Sequence, residues 1–278
     1  MKARRFAPLK PQLLGNVASP AVPNGTQPHE VPRLKGVVFD VDGTLCQPQN
    51  YMFAEMRSVL GIQKPTDILD HIYGLPTEKE RGKAMESIRN IERTAMRNQV
   101  AQPGLVDLMD YLDSRGIRKG ICTRNFEQPV NHLLAKFLSG HIFEPVVTRE
   151  FKPPKPDPAG ILHIAKTWGL TKQGSLVMDQ QGDVEGVLKD QEVDTGLDGK
   201  EEGETVEKGS VGDASHLIMV GDSIDDMTAG RRAGAATVLL ANEANAHLSS
   251  HEDTDMVISR LDELVKILDE GFSGDEQP

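Results

Sequence analysis

Val37-Val38-Phe39-Asp40-Val41-Asp42-Gly43-Thr44-Leu45 is the stretch from which the fold of this 278-residue chain is read. An apolar run of strand type stops at Asp40, and a second carboxylate, Asp42, follows two residues later. A buried strand needs a row of apolar residues, so Asp40 marks the point where the chain leaves the sheet, and Gly43 permits a sharp turn there. Two carboxylates at one strand end crowd their charge. A divalent cation relieves that repulsion, and hard oxygen donors suit magnesium, which also attracts an anionic substrate. Taken alone, the same residues also read as an Asp-rich turn. A calcium loop of the EF-hand type is excluded, because it needs Gly at its sixth position and Glu at its twelfth. Here Gly43 is fourth from Asp40 and the twelfth residue is Tyr51.

The pattern of strand and then acids recurs at Leu217–Val220, followed by Gly221-Asp222-Ser223-Ile224-Asp225-Asp226. A helix beginning near Ser223 sets Asp222 and Asp226 one turn apart and turns both carboxylates toward one point, although Asp and Ser there also serve as an N-cap cluster. Two shorter pieces lie between. Gly120-Ile121-Cys122-Thr123-Arg124-Asn125 delivers a hydroxyl, and backbone amides with it, at a strand end. In Lys152-Pro153-Pro154-Lys155-Pro156-Asp157-Pro158, prolines stiffen the backbone on both sides of Lys155 and fix its direction. A hydroxyl donor and an ammonium are the expected stabilisers of a phosphoryl group in flight, which carries charge on its equatorial oxygens.

The ordered set of Asp40-Val41-Asp42-Gly43-Thr44, Thr123, Lys155 with Pro156, and Gly221-Asp222-Ser223 with Asp226 closely resembles the haloacid dehalogenase-like (HAD) superfamily of phosphohydrolases. The resemblance covers about residues 35 to 265. It implies that Asp40 attacks phosphorus to give an aspartyl-phosphate, and that Asp42 protonates the leaving oxygen and then activates water. It further implies that Thr123, Arg124, Asn125 and Lys155 hold the substrate phosphate. Mg2+ is implied as cofactor, held by Asp40, by the backbone carbonyl of Asp42, by Asp222, and by Asp226 directly or through water. Because displacement of halide needs no protonated leaving group, an acid at position 42 argues for phosphoryl transfer and against dehalogenation. A phosphatase acting on a small phosphorylated metabolite, a sugar-phosphate mutase, and a non-catalytic scaffold on the same core all remain open readings.

The rest of the chain organises around these motifs. Short apolar strands alternate with helices at Gly104–Arg115, Gln128–Leu138 and Pro158–Trp168, which predicts an α/β fold, a doubly wound, Rossmann-like parallel sheet covered on both faces. Residues 35–46 and 103–268 form this core. Residues 47–102 read as a small all-helical cap: Ala84, Met85, Ile88, Ile91, Ala95 and Met96 recur at helical spacing within Thr77–Val100, and shorter helices precede it at Tyr51–Leu60 and Thr66–Ile72.

Net charge is −11, yet Gln181–Ser215 holds eleven acids against three lysines and Asp269–Pro278 adds four acids, which leaves the remainder close to neutral. No basic stripe marks a nucleic-acid surface. Residues 180–215 are rich in Gly, Asp and Glu and lack periodicity, so they are expected to be a disordered acidic insertion. Residues 1–34 and 269–278 are expected to be flexible. Lys2, Arg4, Arg5 and Lys10 give the N-terminus a basic character, so a mitochondrial matrix location stands beside a cytoplasmic one, and whether the N-terminus is cleaved stays open. There is no apolar run of about eighteen residues and hence no membrane partner. Cys46 and Cys122, the two cysteines, are expected to pack in a reduced, intracellular protein. Oligomeric state is not addressed by the sequence.

Overall fold

A computed structural model describes residues 5–9, 31–49, 51–178, 184–185 and 207–274. Among them, the first strand, β1 (Gly36–Phe39), is buried along its whole length, as an apolar run with both faces covered must be. Helices α1 (Tyr51–Leu60), α2 (Ile68–Tyr73) and α3 (Glu78–Arg97) follow, and then α4 (Leu105–Ser114), β2 (Arg118–Cys122), α5 (Glu127–Phe137), β3 (Val146–Val147) and α6 (Ala159–Thr167). The chain continues through β4 (Thr171–Met178), β5 (Val184–Glu185), β6 (Glu207–Gly212), β7 (Leu217–Gly221), α7 (Ile224–Ala233), β8 (Ala236–Leu240), a 3-10 turn at Ala246–Ser250, β9 (Met256–Ile258) and α8 (Glu263–Glu270).

Six strands form one sheet in the order β3-β2-β1-β7-β8-β9, and every neighbouring pair is parallel. Side chains alternate across it. Val37 and Phe39, with Ile218 and Val220, face a core completed by α4, α5 and α8, whereas Val38, Leu217 and Met219 face one completed by α6 and α7. This is the doubly wound α/β architecture. Strand order reverses beside β1, with β2 on one side and β7 on the other, and ligands of such sheets sit beyond the carboxyl ends of strands at that switch point.

The helical segment between β1 and α4 has its own apolar cluster of Met56, Ile68, Ile72, Ile88 and Ile91. Helix α3 starts at a capping box, in which the Thr77 hydroxyl accepts from the Glu80 amide at 3.2 Å and the Glu80 carboxylate accepts from the Thr77 amide at 3.1 Å. Two linkers carry this segment. They are joined by a bridge between Cys46 and Ala101 and by bonds from Gln47 N to Val100 O and from Gln102 N to Leu45 O.

Two segments differ from expectation. Within residues 180–215, β6 pairs antiparallel with β4 in a ladder from Thr171↔Gly212 to Leu176↔Glu207, so 207–215 are ordered; residues 179–183 and 186–206 lie outside the described residues. The sequence hides this strand because it has no apolar alternation, and it is held by ladder pairing and by close backbone approach. A Cβ at Gly212 would sit 2.0 Å from the Leu162 carbonyl oxygen of α6. At the ends, Arg5–Leu9 and Gly271–Gly274 are not free tails either. Phe6 N donates to Phe272 O at 2.8 Å and Leu9 N to Leu268 O at 2.9 Å. The two phenylalanine rings, 5.7 Å apart, are both buried in the main core. One aromatic anchor in a polar, proline-rich segment is enough to dock it, and average composition does not register so local a feature.

Candidate active site

Asp40 is the first residue beyond β1, and its amide still donates to Val220 O of β7 at 3.0 Å, which fixes its position at the strand end. The chain then turns through Val41, whose carbonyl accepts from the amides of Thr44, Leu45 and Cys46. Gly43 has φ +83°, and a Cβ there would lie 2.0 Å from Asp222 Oδ2. The turn and the close approach of the Asp222 loop both need glycine at this position. From the linker that leads into α4, Gln102 Nε2 donates to Gly43 O at 2.7 Å.

The second acidic end is built locally. Ser223 is the N-cap of α7, and its hydroxyl donates to Asp226 Oδ2 at 2.6 Å and accepts from the Asp226 amide at 3.4 Å, while its own amide also donates to Asp226 Oδ2 at 3.1 Å. This capping box buries Asp226 completely. The Asp222 carbonyl accepts from Asn245 Nδ2 at 2.7 Å.

Lys155 lies among its prolines as expected, with its ammonium buried against two acids. It donates to Asp40 Oδ1 at 2.7 Å and to Asp226 Oδ1 in a shorter contact. Burial alone disfavours a charged lysine, but the carboxylates of Asp226 and Asp40 outweigh it and hold the group above its ordinary range. Burial is likewise the largest influence on Asp40; Lys155 pulls the carboxyl down, Asp226 pushes it up, and it settles at about 6. Asp222 is pushed up to about 7 by burial and by the charges of Asp226 and Asp40.

Asp40, Asp222 and Asp226 each present a carboxylate oxygen within 4.8 Å of the others. Three hard donors in one small volume, and a loop that glycine lets approach them, fit a divalent cation of the Mg2+ type. Asp226 fits least as a direct ligand, since its two oxygens already accept from Lys155 and from Ser223. Asp40 and Asp222 are the better donors.

Thr123, buried at the end of β2, accepts from the Asn125 amide through its hydroxyl at 3.2 Å. The side chains of the two residues after it part company. Arg124 is exposed and pairs with Asp225, and Asn125 turns its side-chain amide to Asp42 Oδ2 at 2.9 Å. Cys46 points at the other oxygen of the same carboxylate, its thiol donating to Asp42 Oδ1 at 3.4 Å. Burial first, and Asp42 second, push this thiol far above its ordinary range, so it stays protonated and remains a donor. Sequence reasoning placed Cys46 among packing residues and passed over Gln102 and Asn245. Asn245 lies in the polar stretch Asn242–Asn245 after β8, where nothing in the sequence singles it out from Asn242 or Glu243.

A doubly wound sheet whose switch point carries an acid pair, a buried lysine and a second acid pair defines the HAD class of hydrolases. The chain belongs to that family: the haloacid dehalogenase-like hydrolase profile matches residues 37–190, and a HAD-hydrolase-like profile matches residues 203–264. It is 38% identical over 240 residues to an uncharacterized hydrolase of Saccharomyces cerevisiae, covering 84% of this chain and 91% of that one. It is 32% identical over 219 residues to a haloacid dehalogenase-like hydrolase domain-containing protein of Arabidopsis thaliana, covering 75% and 71%. Among solved structures it is similar in fold to a predicted phosphoglycolate phosphatase of Haemophilus somnus, at a TM-score of 0.59 and 17% identity over 84% of this chain and 97% of that one. Among the described residues no helix is long and apolar enough to cross a membrane.

Proposed function

We propose that this hydrolase cleaves a small organic phosphomonoester with the help of Mg2+, by way of an aspartyl-phosphate on Asp40. The observation that carries the reading is the contact of Lys155 with Asp40, in a cluster where Asp222 supplies a further carboxylate and Asp42 follows two residues on. A buried carboxylate facing a fixed ammonium, at the strand end where ligands of such sheets sit, is a nucleophile with a charge partner. In the first step an Asp40 oxygen bonds to phosphorus and the ester P–O bond breaks, with Asp42 giving a proton to the departing oxygen. In the second, Asp42 takes a proton from water, the water oxygen bonds to phosphorus, and the bond to Asp40 breaks to release inorganic phosphate. Lys155 and the Thr123 hydroxyl stabilise the charge on the phosphoryl oxygens. Asp40, the main-chain carbonyl of Asp42 and Asp222 would hold Mg2+, which would supply charge neutralisation for the nucleophile and the phosphoryl group. Asp226 acts through Lys155, keeping it charged and aimed, and would hold the ion through water. The helical cap between the linkers shields this chemistry from bulk water.

The test is phosphate release from a panel of phosphomonoesters, including 2-phosphoglycolate, sugar phosphates and an aryl phosphate, with and without Mg2+, together with acid quenching during turnover to trap a phosphorylated protein. Metal-dependent release and label on Asp40 are expected. Transfer of the phosphoryl group to a second position of a sugar, with no free phosphate, would replace the phosphatase by a mutase. Folded, magnesium-loaded protein inert toward the whole panel would favour a scaffold.

A further inference from the structure

The family resemblance assigns Asn125 to the substrate phosphate and gives Cys46 no part in the chemistry, but the geometry around Asp42 links both residues to that acid. Asp42 has two carboxylate oxygens, and each faces a different donor: Asn125 Nδ2 at 2.9 Å on Oδ2 and the Cys46 thiol at 3.4 Å on Oδ1. The donors come from opposite sides. Asn125 follows β2, where its own amide is tied to the Thr123 hydroxyl and its carbonyl accepts from Arg149 N at 2.9 Å. Cys46 is fully buried at the entrance to the first cap linker, and it is bridged to Ala101 on the second linker and to Asp42 itself. Its other acceptor, the Val41 carbonyl at 3.7 Å, is the more distant. A short acid on a glycine turn has two free side-chain torsions, and two donors anchored in separate segments fix both of them.

We infer that Asn125 and Cys46 are positioning residues that clamp the carboxylate of Asp42 in the orientation from which it exchanges a proton with the leaving group. The inference rests on the phosphatase reading above. Neither residue touches phosphorus in this scheme, which separates it from a role in holding phosphate. In formation of the aspartyl-phosphate, a misaligned acid matters when the departing oxygen needs a proton and matters little when it does not, whereas hydrolysis of that intermediate is common to every substrate.

Wild type, Asn125→Ala, Cys46→Ala and Cys46→Ser are therefore compared on two substrates: glycerol phosphate, whose alkoxide leaves poorly, and p-nitrophenyl phosphate, whose phenolate leaves unaided. Asn125→Ala is expected to lower the rate of aspartyl-phosphate formation, read by rapid acid quench in a single turnover, about tenfold or more on glycerol phosphate and less than about threefold on the aryl ester, with the half-saturating substrate concentration of that step unchanged for both, part of a full acid–base contribution. Cys46→Ala should show the same selectivity, and Cys46→Ser, which restores a hydroxyl donor, should recover most of the loss. Thermal melting identifies any variant that fails to fold, and half-buried Asn125 carries the test should the Cys46 variants do so. A rise in that half-saturating concentration on both esters after Asn125→Ala would assign the residue to phosphate binding and overturn the clamp, as would equal losses in the rate of aspartyl-phosphate formation on the two. A wild type that turns over neither ester nor any of the panel removes the phosphatase reading, and the clamp with it.

Discussion

The loop after β1 and the loop after β7 both bring carboxylates to the same small volume, yet they are held there by different means. The core of the β7 end is built locally: Ser223 and Asp226 satisfy one another in a capping box, and Gly221 is so close that a Cβ on it would lie 2.3 Å from that of Asp226, with Asn245 and Lys155 adding contacts from elsewhere in the chain. The β1 end depends on distant parts of the chain. Gln102 holds Gly43, Asn125 and Cys46 hold Asp42, and Lys155 reaches Asp40 across 115 positions of sequence. Local chemistry makes a buried scaffold at one end, and long-range contacts aim a partly accessible pair of acids at the other. Substitutions should divide accordingly, those at Asp40 and Asp42 acting on activity and those at Ser223 and Asp226 chiefly on stability.

The largest expected effect is at Asp40. Asp40→Asn is close to isosteric and keeps an acceptor for Lys155, but an amide is a poor nucleophile, so phosphate release should fall by about a thousandfold or more. The melting temperature should stay level or rise, because one charge leaves a crowded acidic cluster. Release at nearly the wild-type rate would rule out a covalent route through Asp40. Asp226→Ala is the opposite case. It strips Lys155 of one of its two partners, leaves a cation in the interior with a single carboxylate, and removes half of the capping box. A loss of about 3–5 kcal/mol in urea unfolding is expected, the range found when a buried ion pair is broken from one side. A loss below about 1 kcal/mol, accompanied by collapse of activity, would move Asp226 into the same class as Asp40 and erase the contrast.

The same contrast explains what could be read from sequence. The β1 and β7 ends are visible because each combines an apolar run with acids just beyond it, and burial on both faces of a parallel sheet enforces that pattern. Helix α1 begins and ends where expected, at Tyr51 and Leu60, and α3 is announced by Thr77 and Glu80 as well as by its apolar spacing. Signals that depend on chain neighbours are thus legible. The hairpin of β4 and β6 is not, since its stability lies in cross-strand pairing of residues such as Lys172 with Val211 and Gln173 with Ser210, which have no common periodicity. Nor is the hold of Asn245 on Asp222 or of Gln102 on Gly43, because the partners are brought together only by the folded sheet. The four motifs locate the acids, whereas the residues that aim them come from the tertiary structure.

The comparison can be sharpened through pH. Asp222 has its folded value raised to about 7 and Asp40 to about 6, against an ordinary 3.8 for each. With folded values above unfolded ones, the native state binds more protons than the unfolded state between about pH 4 and 7. The resulting stabilisation is fully present below that window and is lost as pH rises through it. Metal-free wild type should therefore lose stability relative to Asp222→Asn between pH 5 and pH 8, by on the order of 2 kcal/mol. Urea unfolding of the two proteins at a series of pH values measures this. Adding Mg2+ at pH 8 should close the gap by stabilising the wild type and not the variant. A gap that is flat with pH and indifferent to Mg2+ would mean that Asp222 is neither strained by its neighbours nor a ligand.

The smallest effect expected is the most discriminating for the β7 end. Ser223→Ala deletes the hydroxyl that accepts from the Asp226 amide and donates to its carboxylate, but the Ser223 amide still reaches Asp226 Oδ2 at 3.1 Å. Loss of an N-cap side chain costs about 1 kcal/mol, and the remaining amide bond together with Lys155 should keep the Asp226 carboxylate in place. Stability should drop by that amount while kcat changes less than about twofold and the half-saturating Mg2+ concentration stays level. Since Asp226 Oδ1 faces Lys155, a shift in that Mg2+ concentration without a matching loss of stability would mean that the Ser223 hydroxyl aims Asp226 at the ion and does more than cap α7. In that event the β7 end would belong with the β1 end, as part of the reacting centre, and its burial would no longer distinguish scaffold from chemistry.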